Sequence, residues 1–90
     1  MAISIMIPTA LRNFTGRKAE VAVNAATVKE ALDALAAEYS DLATHIFENG
    51  ELRSFINVYV GEANIKTLKG IATELQDGSE LMLVPAIAGG

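Results

Sequence analysis

The chain has 90 residues and a formal net charge of −4. This length allows one small hydrophobic core. Because the chain has no cysteine, it can form neither a disulfide nor a thiolate nucleophile or metal ligand. The negative charge argues against nucleic acid or an anionic membrane as a partner, and no apolar run reaches the roughly 20 residues of a membrane span. The N-terminal residues lack the basic start and long apolar stretch of a signal peptide, so we expect a cytoplasmic protein.

The first quarter of the chain predicts two strands. Residues alternate in polarity over positions 2–8, which indicates a half-buried strand whose pairing ends at Pro8. The face of this strand that should be buried carries Ile3, Ile5 and Ile7. A connection over residues 9–16 leads to a second strand over residues 18–23. Because the two strands lie so close in sequence, we expect them to pair antiparallel.

The clearest pattern in the sequence lies at residues 27–39, where apolar residues recur at helical spacing. The stripe consists of Val28, Ala31, Leu32, Leu35, Ala36 and Tyr39. Thr27 and Glu30 have the spacing of a capping box, in which each side chain bonds a free backbone N–H at the start of a helix. We therefore predict a helix that covers one face of the sheet, followed by a short helical turn capped by Ser40-Asp41.

The second half of the chain predicts two more strands, over residues 53–60 and 80–84, with a turn at residues 48–51. Residues 63–76 have an irregular pattern, with a short strand near Ile65 and one helical turn near residues 71–75. This order predicts an α+β fold, a mixed sheet with one main helix on one face. If the first and last strands are adjacent and parallel, the fold is a ubiquitin-like β-grasp, but the pattern does not fix the strand order.

The sequence has too few of the side chains that a catalytic site or a metal site needs. His45 is the only histidine, so we interpret it as a surface residue of a short helix rather than a general base or metal ligand. Glu48 and Glu51 flank a turn, but two carboxylates fall short of the ligands that a calcium loop supplies. We therefore expect no catalytic residue, no metal site and no bound cofactor, and predict that the protein is not an enzyme.

The C-terminal segment Pro85–Gly90 needs no side chain for its chemistry, because a terminal carboxylate is ionised at neutral pH. Conversion to an acyl-adenylate with ATP makes its carbonyl open to attack by sulfur or nitrogen. Gly89 and Gly90 have no Cβ, so they can enter a narrow channel of a partner enzyme. We interpret residues 1–90 as one domain with a flexible tail over 86–90, against the alternative of a frayed end.

The segment 77–90, which joins Asp-Gly, an apolar strand, Pro85 and a Gly-Gly terminus, resembles the MoaD/ThiS family of ubiquitin-like sulfur carriers. Segments 7–16, 55–60 and 68–75 are similar to the CysO-like branch of that family, which serves cysteine biosynthesis. Together these segments make the resemblance extend over essentially the whole chain. It implies a β-grasp fold from whose last strand the tail projects.

The resemblance also implies a reaction sequence centred on Gly90. An E1-like enzyme that uses ATP and magnesium adenylates this residue, and sulfur then replaces an oxygen to give a thiocarboxylate. The thiocarboxylate delivers sulfur to a biosynthetic enzyme, which in the CysO-like branch is cysteine synthase-like, with a metallopeptidase releasing the product. In other branches the destination is molybdopterin or thiamin. The protein is expected to be a carrier and substrate of these partners.

The resemblance also implies a docking surface, because carriers of this family bind their E1-like partner through apolar residues near the tail. Val84 matches such a position, Pro85 follows it, and we add Ile87 as an inference from its expected exposure. Ala88 and Gly89 complete the tail before the reactive Gly90. Two alternatives stay open, a ubiquitin-like modifier joined to lysines through its C-terminus, and a non-covalent β-grasp binding module whose tail is incidental.

Overall fold

The computed structural model describes residues 1–49, 51–53 and 55–85. Within this part of the chain the strands and α-helices are β1 (Ala2–Met6), β2 (Glu20–Asn24), α1 (Val28–Glu38), α2 (Ser40–Ile46), β3 (Phe47–Glu48), β4 (Glu51–Leu52), β5 (Ile56–Val60), β6 (Ala63–Asn64) and β7 (Glu80–Pro85). Short 3₁₀ helices span Thr9–Phe14, Ile65–Thr67 and Gly70–Ala72. None of the helices in the described ranges is long and apolar enough to cross a membrane.

The main sheet has the strand order β2-β1-β7-β5-β6. β1 pairs antiparallel with β2 and parallel with β7, with Ile5 opposite Leu81, and β5 pairs antiparallel with β7. The parallel contact between the first and last strands is the feature that the sequence pattern left open. With α1 packed on the sheet, it confirms the predicted mixed sheet and ubiquitin-like β-grasp fold.

The core lies between the sheet and α1. The inward residues of β1 and β7 alternate with outward ones, and Ile3, Ile5, Leu81 and Leu83 are all at most 1 % exposed. The helix contributes the predicted stripe, of which Val28, Ala31, Leu32 and Leu35 are buried. Complete burial of a large aliphatic side chain contributes about 1.5–3 kcal/mol, so this layer supplies most of the stabilisation of so small a domain.

The start of α1 has the predicted cap with one difference. The Glu30 N–H donates to Thr27 Oγ1 over 3.2 Å, while the Glu30 carboxylate accepts from the N–H of Ala26, one residue before the expected donor. The prediction that Ser40-Asp41 caps the second helix was wrong. Tyr39 is the N-cap and makes no side-chain cap bond, because α2 begins directly after the end of α1 and leaves no room for a separate cap.

The predicted strand over residues 53–60 was wrong in its first part, since β5 begins at Ile56. Arg53 instead forms an ion pair with Glu48, with 2.9 Å between Nη1 and Oε2, and its N–H donates to the carbonyl of Ile46. These contacts fold β3 and β4 into a two-stranded hairpin beside the end of α2. Sequence periodicity cannot detect strands of two residues, so the hairpin was predicted only as a turn.

Residues 63–76 contain a two-residue strand and two 3₁₀ helices, where the sequence predicts a short strand and one helical turn. The short strand lies at Ala63–Asn64 rather than near Ile65, and the helical turn is the 3₁₀ helix Gly70–Ala72. The segment is tied to the start of α1, because the Val28 N–H donates to the carbonyl of Thr73 over 3.0 Å. These backbone bonds to another element stabilise a conformation for which the local sequence has no periodic signal.

Candidate functional site at the base of the C-terminal tail

The end of β7 forms the base of the predicted tail. Leu81 and Leu83 face the core, whereas Met82 on the opposite face is 47 % exposed and Val84 and Pro85 are partly exposed. Pro85 is opposite Ile56 of β5 and is the last residue that the structure describes. The predicted strand is confirmed. β7 pairs with β1 as far as Met82 and with β5 as far as Pro85, so the strand is hydrogen-bonded up to the last described residue.

The predicted tail residues lie outside the described part of the chain. These are Ile87, Ala88, Gly89 and Gly90. Of the predicted site, the structure therefore describes the two docking residues Val84 and Pro85, which share one end of the sheet. Their contribution to partner binding remains a prediction.

Two open apolar grooves meet at Pro85. The first has a volume of about 310 Å³ and is lined by residues after the end of β1, by Arg12 and Ala19, and by residues 82–85. The second, of about 340 Å³, is lined by Phe14, His45 and Phe55 among others. Each groove is large enough for side chains of a partner, and both lie where the chain leaves β7.

The segment between β1 and β2 forms one wall of both grooves, and its backbone is held by hydrogen bonds. The Ile7 N–H donates to the carbonyl of Ala19 over 2.8 Å, and Arg12 Nε donates to the carbonyl of Ile7 over 3.0 Å. Thr15 is fully buried, and its hydroxyl lies 3.0 Å from the carbonyl oxygen of Lys18. The wall is therefore built into the fold rather than formed by a free loop.

His45 is an exposed residue of α2, as the sequence predicts. Its ring lies against Phe14 with 4.1 Å between centroids, and its Nδ1 is 3.0 Å from the carbonyl oxygen of Asp41. Through these contacts it lines the second groove. The structure thus gives this side chain a packing role at the tail base.

The acidic residues of the described chain are not gathered into a metal site. Within residues 1–49, 51–53 and 55–85, no group of three or more His, Cys, Asp or Glu side chains is placed to hold an ion. Glu48, which the sequence offered as a weak cation ligand, is paired with Arg53. On α1, a hydrogen bond to Asp33 raises the pKa of Lys29, but both groups are exposed and stabilise the fold little.

The sequence matches the model of the ThiS family over residues 5–90. The chain belongs to the ThiS family. It is 32 % identical to the sulfur carrier protein CysO of Mycobacterium bovis over 93 aligned residues, which cover 100 % of both chains. It is 40 % identical over 65 residues to small archaeal modifier protein 3 of Haloferax volcanii, covering 72 % of this chain and 71 % of that protein.

A solved structure that contains a CysO protein has the same fold. The chain is similar to the crystal structure of the BexX/CysO complex of Amycolatopsis orientalis, with a TM-score of 0.89 and 34 % identity over 98 % of this chain and 99 % of that chain. The likeness to CysO proteins in both sequence and structure confirms the CysO-like branch that the sequence motifs indicated. It also shows that a relative with the same fold assembles with another protein.

Sequence reasoning missed the groove walls. Met82 on β7 is 47 % exposed, and Phe55, which directly precedes β5, is 41 % exposed, although both lie in segments that the sequence predicts as strands. Residues 6–9, Arg12 and Ala19 line the first groove only because β1 runs parallel to β7, which brings the segment after β1 beside Pro85. The signal that would have found them is this strand order, which periodicity does not contain.

Proposed function

We propose that the protein is a sulfur carrier that acts through a thiocarboxylate at the carboxyl terminus of Gly90. The observation that carries this proposal is the likeness to the CysO sulfur carrier over the full length of both chains. The structure supports it physically, because β7 ends in a paired strand and Pro85 lies between two apolar grooves. A partner enzyme can therefore hold the body of the carrier and receive the tail.

The proposed chemistry uses an activating partner. A Gly90 carboxylate oxygen attacks the α-phosphorus of ATP, pyrophosphate leaves, and an acyl-adenylate forms at an E1-like enzyme that also binds magnesium. A sulfide-level sulfur nucleophile then attacks the carbonyl carbon, and AMP leaves with the original carboxylate oxygen. The product is the thiocarboxylate. The carrier contributes position, since glycines at the last two sequence positions leave the carbonyl unshielded.

The acceptor of the sulfur is proposed to be a cysteine synthase-like enzyme. The reason is the match to CysO proteins, and a metallopeptidase would then release the new cysteine from the carrier. Molybdopterin and thiamin synthesis are alternative destinations of the same thiocarboxylate. In each case the carrier is a protein substrate, and catalysis belongs to its partners.

We propose Val84, Pro85 and Ile87 as docking residues for the activating enzyme. Val84 and Pro85 are partly exposed and line the first groove, so their apolar surface is available at the point where the tail begins. Burial of this surface in a complex would favour binding by about 25 cal/mol for each Å² removed from water. The same contact would aim the tail into the adenylation site.

A second candidate function is that of a protein modifier. It is favoured by the 40 % identity to a small archaeal modifier protein over 65 residues. Both functions begin with adenylation of Gly90 and differ in the nucleophile, which is sulfur for the carrier and a lysine amine for the modifier. Lysine conjugates formed in the presence of ATP, without any thiocarboxylate, would support the modifier.

The decisive experiment is the mass of the C-terminal peptide after incubation with the activating enzyme, ATP and a sulfur source. Replacement of oxygen by sulfur adds about 16 Da, and oxidation of any of the three methionines adds the same mass. The gain must therefore lie on the C-terminal peptide and react with a thiol alkylator. Methionine sulfoxide as the sole product would contradict the carrier function.

Two variants serve as controls for this experiment. An alanine appended after Gly90 should abolish thiocarboxylate formation, because the carboxylate is displaced from the adenylation site. Retained biological activity would instead support the non-covalent binding module.

Val84→Thr keeps the side-chain volume and removes apolar surface, so it should raise the KM for the carrier in ATP–pyrophosphate exchange without changing kcat. An unchanged KM would remove Val84 from the docking surface.

A further inference from the structure

The charges of this chain are divided unevenly along the sequence. Every aspartate and glutamate lies at position 20 or later, although the net charge of the whole chain is −4. Three of the seven lysines and arginines lie before that position, namely Arg12, Arg17 and Lys18. The first nineteen residues therefore form a cationic segment in an acidic protein.

The fold brings the second half of this cationic segment to the first groove. Arg12 and Ala19 both line the groove, and the carbonyl of Ala19 accepts from the N–H of Ile7, directly after β1. Lys18 precedes Ala19 in the chain, and the N–H of Arg17 donates to the carbonyl of Arg12 over 2.7 Å. We call Arg12, Arg17 and Lys18 the basic rim.

The basic rim is not neutralised within the part of the chain that the structure describes. There, the ion pairs within 4.0 Å join Lys29 to Asp33 and Arg53 to Glu48, and none includes a member of the rim. Arg17 and Lys18 are also exposed. Arg17 adopts a left-handed backbone with φ of 69°, a conformation uncommon for a residue with a Cβ.

We propose that the first groove and its basic rim form one docking surface for the activating enzyme. Its occupant is a segment of that enzyme in which an apolar side chain enters the groove and neighbouring carboxylates meet Arg17 and Lys18. This inference rests on the proposed adenylation of Gly90 and adds a surface to the tail and Val84. The charge pattern supplies the argument, because a cationic rim around an apolar groove is complementary to an acidic surface with an apolar protrusion.

An acidic protein fits these observations better than a nucleic acid. The groove is bordered by Met82, Val84 and Pro85 and has room for an aliphatic or aromatic side chain. A phosphate backbone would gain nothing from these apolar walls, and it would be repelled by the acidic remainder of the chain. Steering by charge also suits a carrier that must meet and leave several enzymes, because it acts chiefly on the rate of association.

The test compares two double charge reversals in ATP–pyrophosphate exchange with the purified E1-like enzyme of the source organism. The double variant Arg17→Glu with Lys18→Glu reverses the charge of two residues of the basic rim. Arg12 is left unchanged because its Nε donates a hydrogen bond to the carbonyl of Ile7 and so stabilises the fold. The control, Lys66→Glu with Lys69→Glu, changes net charge equally. These exposed lysines follow β6, which pairs with the end of β5 farthest from Pro85.

We expect the rim variant to lower kcat/KM by about tenfold at low salt, through KM, and the control variant to leave it nearly unchanged. Raising the salt concentration from about 0.05 M to about 0.5 M should remove most of the difference, because screening shortens the reach of surface charges. Equal effects of the two double variants would overturn the proposal, since net charge and not the rim would then be responsible.

A second pair of variants tests the groove without altering charge. Ala19→Phe should fill the groove from its exposed wall and raise KM at every salt concentration. Ala37→Phe, on the exposed side of α1, is the matched control and should leave KM unchanged. If Ala19→Phe has no effect on KM, the groove is not occupied in the complex and the docking surface as proposed is wrong.

Other outcomes separate this proposal from the proposed function. If the wild-type carrier supports no exchange at all, adenylation itself is wrong, and the docking surface loses its partner. If wild-type exchange proceeds and the rim variant matches it, adenylation stands and the basic rim has no part in docking. Loss of binding to a labelled single-stranded DNA in the rim variant, with an unchanged KM, would assign the rim to nucleic acid and overturn the proposal.

Discussion

Thr15 shows how a single polar residue stabilises the wall of the tail base. It is fully buried, and its hydroxyl has two backbone acceptors, the carbonyls of Arg12 at 3.3 Å and Lys18 at 3.0 Å. A hydroxyl has one proton, so it donates to one carbonyl at a time. The bond fixes the backbone that carries the basic rim without a regular element.

We expect Thr15→Val to lower the free energy of unfolding by about 1 kcal/mol, because the isosteric side chain removes the hydrogen bond that the buried hydroxyl makes to the backbone. Urea unfolding followed by circular dichroism measures the change. Thr44→Val is the control, since the exposed Thr44 hydroxyl donates to the carbonyl of Asp41 and water can replace it. Equal losses in the two variants would contradict the role of burial.

At the residue scale, alternation predicted burial where a strand has one face in the core. Ile3, Ile5 and Ile7 were assigned correctly and are each at most 1 % exposed. Alternation did not predict that Met82 would border a groove, because exposure on the outer face of a sheet depends on what covers that face. Here nothing in the described chain covers it fully.

At the scale of elements, α1 was the most predictable part of the chain. Its apolar stripe and its cap both point to one helix, and the observed Val28–Glu38 differs from the prediction by one residue at each end. The hairpin of β3 and β4 was missed because two-residue strands have no period. It exists because Arg53 bonds Glu48 and the end of α2, contacts that no local pattern encodes.

Removal of the Thr27 cap should weaken α1 measurably. We expect Thr27→Ala to lower the free energy of unfolding by about 1 kcal/mol, because the N–H of Glu30 loses its acceptor. Ser40→Ala is the control at the start of α2, where the N-cap is Tyr39 and no side chain caps the helix. If thermal unfolding showed that Ser40→Ala lowers the free energy of unfolding as much as Thr27→Ala does, this account would be contradicted.

At the scale of the whole molecule, the start of β1 and the end of β7 lie at opposite ends of the sheet. The N–H of Ala2 donates to Asp77 Oδ1 over 2.8 Å, just before β7 begins, whereas Pro85 closes β7 at the other end. This separation follows from the parallel pairing of β1 with β7. Additions at Met1 are therefore remote from the tail base.

We expect deletion of Gly89 and Gly90 to leave the melting temperature nearly unchanged, because terminal glycines bury little surface, while adenylation is lost. A fusion partner attached before Met1 should leave ATP–pyrophosphate exchange intact, and the same partner attached after Gly90 should abolish it. A large loss of thermal stability on deletion would show that the tail is structural. Equal exchange by the two fusions would show that the carboxylate is not the reactive group.

The sequence by itself determined α1, the strands with one buried face and, through the 77–90 segment, the family. These features can be predicted without the tertiary structure because periodicity and sequence motifs are local properties of the chain. Only the tertiary structure decided the strand order, the hairpin and the two grooves at Pro85. The physical reason is that each depends on contacts between distant segments. Parallel pairing of β1 with β7, for example, brings Arg12 and its neighbours between β1 and β2 to the base of the tail.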